Sequence, residues 1–220
     1  HCGRVFMFIL RWFGRIVVLF IVLGAVAYPA ADLLRSPLDQ AARDELLRAG
    51  KADKFVTLSA GVMHVRVKGP EDGPVVLLVH GATTGGYSYQ KWIEPVAAAG
   101  YRVVVPDLFG YGYSDRPDEP HTKTFYTKQL SELLDALHAT KVHVVGNSMG
   151  GAIVTAFAAA APARVKSVTF LAPAGLGRVQ ILPAFLLWPV VGDWYFRVIG
   201  PTVAVNGAAK NFANVAGGEG

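Results

Sequence analysis

The chain has 220 residues, 52% of them hydrophobic and 17% charged, with a formal net charge of +5. That length and apolar content suffice for one large core with an appendage, and no internal repeat or long disordered tract is present. Basic residues are scattered, with Arg4, Arg11 and Arg15 gathered before an apolar run, so there is no nucleic-acid footprint; the single cysteine, Cys2, excludes a disulfide framework and a thiolate metal site.

Residues 1–34 read as an export or anchoring segment. An uncharged run from Ile16 to Ala31 follows Arg11 and Arg15 and ends at Asp32. Arginines before the run and an acid after it place the amino terminus in the cytoplasm and everything beyond on the extracytoplasmic side. The expectation is an uncleaved single-pass transmembrane helix with the lipid membrane as partner, Trp12, Phe13 and snorkelling arginines lengthening a run that is short for a span. Ala25-Val26-Ala27 also fits a small-x-small cleavage site, which would give a secreted or periplasmic protein. Because the chain opens with His1, the expected start is Met7 or a residue upstream.

Residues 35–54 form a linker. Ser36-Pro37-Leu38-Asp39 reads as an N-cap, a proline at the first helical position and an acidic first turn, predicting an amphipathic helix to about Arg48 that Gly50 ends. Residues 55–58 and 62–67, split by Ala60-Gly61, predict a hairpin, with His64 as an ordinary strand residue. Val75 to Val79 is continuously apolar, as in a strand covered on both faces, and runs into His80-Gly81-Ala82 and a glycine-bearing loop. A helix from Tyr89 to Ala99, a strand from Tyr101 to Val105 and the loop Pro106 to Pro117 follow.

The stretch Gly146-Asn147-Ser148-Met149-Gly150-Gly151 lies between a β-branched segment, Lys141 to Val145, and an alanine-rich one, Ala152 to Ala160. Strand, tight turn and helix are the context of a Gly-x-Ser-x-Gly nucleophile elbow. Gly146 and Gly150 supply the small neighbours such a turn needs, and Gly151 lets the helix pack close to the sheet. Ser148 is thereby exposed at the amino end of a helix, where free N–H groups favour developing negative charge. The backbone N–H groups of Ala82 and Met149 can face one point and form an oxyanion hole, with His80 bracing its loop rather than acting as a base.

Taken together, His80-Gly81, Asp107-Leu108-Phe109-Gly110-Tyr111-Gly112-Tyr113-Ser114-Asp115 and Gly146 to Gly151 resemble the α/β-hydrolase superfamily. Within it, the chain is similar to the serine esterase, monoacylglycerol lipase and carbon–carbon bond hydrolase group. The resemblance covers residues 55–175. It implies an α/β fold, a mostly parallel sheet with helices on both faces, with reactive loops at the carboxyl ends of strands and a chiefly architectural Asp107 loop. It also implies a serine hydrolase in which Ser148 is the nucleophile, working through an acyl-enzyme on an apolar ester or acyl substrate without metal or organic cofactor. Haloalkane dehalogenases and soluble epoxide hydrolases of the superfamily need an aspartate at the elbow, which this chain lacks. Cleavage of a carbon–carbon bond is the alternative activity.

Residues 165–175 predict the next strand and its loop, and residues 176–220 the start of a cap. Ile181, Leu182, Phe185, Leu186, Leu187, Trp188, Val190, Val191, Trp194, Tyr195 and Phe196 would make an apolar lid there. The family places its triad in the order Ser, then Asp or Glu, then His. All six histidines, His1, His64, His80, His121, His138 and His143, precede Ser148, and only Asp193 and Glu219 are acidic after it. The expectation is therefore a core incomplete at its carboxyl end, with triad acid and histidine beyond Gly220 and the chain inactive by itself. A hydrolase-fold binding module and an enzyme completed by another polypeptide are the other accounts. Backbone strain of about 1–3 kcal/mol at Ser148 has a purpose only in the first and third.

Overall fold

In the computed structural model, residues 2–33, 40–49, 53–175, 191 and 194–195 are described. They fall into two compact units: residues 1–37 with 180–220, and residues 38–179. Most of the expected cap, 176–220, lies outside the described residues, as do the N-cap and proline expected to open the linker helix.

The first unit carries helix α1, Cys2–Leu33. Within the unit, the Trp194 Nε1–H donates to the Gly24 carbonyl at 3.2 Å. Trp12, Phe13, Ile16, Val18, Leu19, Ile21, Val22, Leu23 and Val26 are all exposed on α1. Among the described residues no helix is long and apolar enough to cross a membrane. The membrane-spanning anchor expected from the sequence is therefore not found. The uncharged stretch 16–31 falls short of the roughly 20 residues a span requires.

The second unit begins with α2, Gln40–Ala49. Its sheet is built from β1, Asp53–Leu58, β2, Gly61–Lys68, β3, Val75–Val79, β4, Arg102–Pro106, β5, Val142–Asn147, and β6, Val165–Leu171. The spatial order is β1-β2-β4-β3-β5-β6. The hairpin β1–β2 and the β2–β4 pair are antiparallel, whereas β3 pairs with β4 and β5, and β5 with β6, in parallel. Parallel neighbours require crossovers, and helices α3, Gln90–Ala98, α4, Lys123–Ala136, and α5, Met149–Ala160, provide them.

Alternation along the central strands directs side chains to two separate cores. Val75, Leu77, Val79, Val104, Val142 and Val144 pack with Leu130, Leu133 and Leu134 of α4 and Ile153, Val154 and Phe157 of α5. Val76, Leu78, Val103 and Val105 point the other way, onto Tyr89 and Ile93 at α3. Every residue of β3 is buried, as its continuous apolar run requires of a strand covered on both faces.

Helix α4 was not foreseen in the sequence. It is capped by Thr122, whose side chain accepts from the Phe125 N–H, and its apolar residues at 125, 126, 130, 133, 134 and 137 line the first core at helical spacing. The helix expected from Tyr89 to Ala99 is observed as α3, with Tyr89 and Ala99 as its caps, and a 3₁₀ turn, Gly85–Tyr89, leads into it. Ser148, placed at the corner by its sequence, ends β5 and opens α5 directly, so both elements reach closer to it than their apolar runs suggested.

Phe157 is fully buried under the parallel strands, whereas Phe170 on β6 is 42% exposed. Phe157→Ala is expected to lower the unfolding free energy by about 3–5 kcal/mol, and Phe170→Ala by about 1 kcal/mol. Urea unfolding of the two variants checks the ordering; equal losses would contradict the packing described.

Candidate active site

The carboxyl ends of β3, β4 and β5 lie side by side, and the loops that leave them converge. At the end of β5 the chain turns straight into α5 at Ser148, whose φ of 48° and ψ of −116° leave the usual L-residue regions. Two close approaches force that turn. A Cβ on Gly150 would lie 2.1 Å from the Val79 carbonyl oxygen, and one on Gly146 would lie 2.5 Å from the Gly150 oxygen. Only glycine lets the first turn of α5 rest on the end of β3. Gly151 faces Pro173 in the loop after β6.

The Ser148 backbone is held on both sides. Its N–H donates to the Leu171 carbonyl at 3.1 Å, and its carbonyl accepts from Gly151 at 2.9 Å and Ala174 at 2.8 Å. Its hydroxyl makes no capping hydrogen bond to the helix. Most serines at a helix start spend the hydroxyl on such a bond; here it is left available.

Gly81 lies against the elbow: a Cβ there would meet Asn147 Oδ1 at 3.1 Å and Ser148 Cβ at 3.2 Å. The structure thus brings the loop of His80, Gly81 and Ala82 to Asn147, Ser148 and Met149. As the first residue of α5, Met149 has an N–H with no intrahelical acceptor. Among the described residues, neither that N–H nor the one of Ala82 donates to another backbone group in these loops.

His80 is fully buried and engaged at both nitrogens. Nε2 accepts from the Leu108 N–H at 3.0 Å, so the proton is on Nδ1, which donates to the Gly81 carbonyl at 2.7 Å. Burial lowers the ring below its ordinary pKa, against the Gly81 carbonyl and the Asp107 charge that raise it. The neutral ring ties β3, the Gly81 turn and the Asp107 loop together, with no lone pair free for the serine.

Three further residues at this site were not singled out by sequence reasoning. The Tyr89 hydroxyl donates to the Val79 carbonyl at 3.1 Å, and the Tyr111 hydroxyl donates to Met149 Sδ at 3.6 Å with its ring edge-on to His80. The third, His64, was expected to be an ordinary strand residue. It is instead buried between two aspartates, with Nδ1 2.8 Å from Asp107 Oδ2 and Nε2 2.8 Å from Asp53 Oδ1. Asp107 is held ionised and can only accept, so Nδ1 donates to it. A histidine alternating with apolar neighbours on a strand carries no local signal of partners 11 and 43 residues away.

Asp107 is the hub of this group. Its Oδ1 accepts from the Gly86 N–H at 2.6 Å, and Oδ2 accepts from the Tyr113 N–H at 3.1 Å as well as from His64. Burial pushes its carboxyl up, but the hydrogen bonds from His64, Gly86 and Tyr113 and the charge of His64 together outweigh it and bring the pKa to about 2. Gly86 follows the Ala82 loop in sequence, so this carboxylate fixes the segment that carries one candidate oxyanion donor. Asp115 pairs with Arg43 of α2 and accepts from the Val62 N–H at 2.7 Å, tying the far end of the same loop to β2.

A cavity of about 470 Å³ lies at the opposite, amino-terminal end of β5, between Leu134, Asp135, His138, Ala139, Thr140 and Arg164. Its arginine is already spent on Asp135 and on the carbonyls of Ala139 and Thr140. No group of residues fit to hold a metal ion occurs among the described residues.

The folded-state pKa of Asp107 is depressed, so its contribution is complete above its ordinary value of 3.8 and is lost as pH falls towards about 2. That contribution is about 2 kcal/mol. Urea midpoints between pH 5 and pH 2 are expected to fall for the unmodified chain and to fall less steeply for Asp107→Asn, which starts from a lower stability.

The chain matches the family model for the alpha/beta hydrolase fold over residues 74–194. It is 36% identical over 138 residues to a 2-hydroxy-6-oxo-6-phenylhexa-2,4-dienoate hydrolase of Burkholderia cepacia, covering 60% of this chain and 48% of that protein. It is 37% identical over 131 residues to a haloalkane dehalogenase of Mycobacterium marinum, covering 57% and 43%. Among solved structures, naproxen esterase from Bacillus subtilis superposes with a TM-score of 0.54 at 27% identity, covering 69% of this chain and 50% of that one. The chain spans about half the length of the curated relatives it matches. With the model match covering more than half of its residues, and with elbow and loops arranged as described, this chain belongs to the alpha/beta hydrolase family.

Proposed function

We propose that this chain provides the nucleophile and the oxyanion hole of a serine hydrolase that cleaves an ester or related acyl bond of an apolar substrate. The observation that carries the reading is the state of Ser148. It is held at φ 48° by its glycine neighbours, at the first turn of α5, with a hydroxyl the helix does not use. Strain of this kind persists where the surrounding structure over-determines it and the exposed group has work to do.

In the proposed reaction, Ser148 Oγ attacks the substrate carbonyl and its proton passes to a base. The carbonyl oxygen becomes an oxyanion that the N–H groups of Ala82 and Met149 stabilise, and collapse of the tetrahedral intermediate expels the leaving group and gives the acyl-enzyme. Water then attacks the acyl carbon and frees the serine. His80 is committed to Leu108 and Gly81 and His64 to two aspartates. The proposal therefore takes the base and its orienting acid from beyond the described residues. An alkyl–carboxylate ester intermediate is not available to an elbow that carries serine, which separates this reading from dehalogenation despite the likeness to the Mycobacterium protein. The apolar composition of residues 181–196 supports a greasy substrate group.

A second reading, hydrolysis of a carbon–carbon bond, is supported by the Burkholderia relative, whose name states a dienoate substrate. It uses the same serine and the same two N–H donors.

Fluorophosphonate labelling of the natural protein, extracted from its own cells, tests the proposal. Ser148-dependent labelling that Ser148→Ala abolishes is the expected result, and a folded protein that takes no label at Ser148 overturns it. Comparing turnover of a short-chain nitrophenyl ester with that of a 2-hydroxy-6-oxo dienoate then separates the two readings: preference for the dienoate by tenfold or more, about 1.4 kcal/mol in transition-state binding, favours the second.

A further inference from the structure

Helix α1 belongs to the first unit, and its surface has a chemistry of its own. Trp12, Phe13, Ile16, Val18, Leu19, Ile21, Val22, Leu23 and Val26 are each 45% exposed or more. Such residues, packed one after another on every side of a helix, make a patch far larger than scattered surface hydrophobics and mark an interaction site. At the amino-terminal end of this stretch Arg11 and Arg15 are exposed one turn apart, flanking Trp12 and Phe13, and with Gly14 and Val18 they line a groove of about 470 Å³. Positions 11, 14, 15 and 18 share one helix face. Gly14 leaves it open, with no atom within 4 Å of where a Cβ would stand. Like charges at this spacing repel unless an anion lies between them. The Arg15 guanidinium is also 5.9 Å from the centroid of Trp12, an amphipathic ring suited to the boundary between headgroups and hydrocarbon. From Cys2 to Ala31 the helix contains no acidic residue.

We propose that α1 docks on the surface of a bilayer containing anionic phospholipid. A headgroup phosphodiester lies in the groove between Arg11 and Arg15, Trp12 and Phe13 sit at the boundary, and the apolar residues from Ile16 onward enter the acyl chains. The occupant is a lipid surface rather than a second copy of the chain or a free anion, because the cationic groove and the apolar stretch adjoin on one helix. A bilayer presents those two chemistries in that order and at that distance.

Flotation of the full chain with lipid vesicles tests this, independently of any activity at Ser148. The chain is expected to float with phosphatidylcholine vesicles that contain phosphatidylglycerol and more weakly with phosphatidylcholine alone. Replacing Arg11 and Arg15 together by Gln is expected to weaken binding to the anionic vesicles by about 25-fold, about fivefold for each cation, and to leave binding to the neutral ones unchanged. The Trp12→Phe variant is expected to lose the part of the fluorescence blue shift that vesicles induce. Thermal melting of the sheet-bearing unit serves as the folding control for each variant. Three results would overturn the proposal: no flotation with either vesicle, binding indifferent to the arginine pair, or complete release by excess inorganic phosphate. So would self-association in sedimentation that vesicles fail to reverse, since it assigns the apolar stretch to a second copy.

Discussion

The whole arrangement rests on one steric constraint, the approach of the first turn of α5 to the end of β3. Gly150 lies so close to the Val79 carbonyl that any side chain there would collide with backbone. Backbone atoms in the middle of a parallel sheet have nowhere to retreat, because β3 is paired on both sides and buried on both faces. The contact thus sets the axis of α5, the axis sets the turn at Ser148, and the turn puts a non-glycine residue at positive φ with a hydroxyl that does not cap the helix. The same approach places Gly81 against Ser148 Cβ, so the elbow and the loop facing it form one piece of packing.

A second layer of support is polar and buried. Asp107 loses hydration on folding and regains more than it lost from two N–H groups and His64. His64 passes the connection on to Asp53, which Arg66 also contacts. A chain of charged groups therefore runs from the β1–β2 hairpin to the segment after Ala82. Removing one partner of such a buried network leaves the others unpaired, so the loops on either side move together or not at all. The hairpin, remote from Ser148 in sequence, is in this way part of what holds the site in shape. His80 plays a similar part with neutral hydrogen bonds, joining two strand ends through one ring.

The first unit follows different physics. Its helix meets water with large apolar side chains and with arginines grouped at one end, and nothing in that pattern resembles the two-sided burial of the sheet. Docking on lipid would satisfy both groups at once, which is a reason to treat anchoring and chemistry as separate properties of one chain.

Much of the fold was legible in the residues. The continuous apolar run at 75–79 identified a buried strand, because a strand covered on both faces has no polar alternation to hide it. The order of three loops, His80-Gly81, Asp107 to Asp115 and Gly146 to Gly151, marked the family, since each loop is short and each needs its own glycines at set positions. Helix α4 was missed because its apolar residues are interrupted by Lys128 and Asp135 on the solvent face and by Gln129 on the buried one, and the anchor was expected because Trp12, Phe13 and snorkelling arginines were counted towards a run that is by itself short for a span. His64 and Tyr111 could not have been found at all from local sequence. Their partners are 43 and 38 residues away, and only folding brings them together. The sequence by itself determined the local chemistry: which strands are buried, where the chain must turn sharply, and that a serine stands at the turn. The tertiary structure decided what those pieces do to one another, because hydrogen bonds to buried charges and backbone approaches too close for any side chain depend on distances in space that no spacing along the chain encodes.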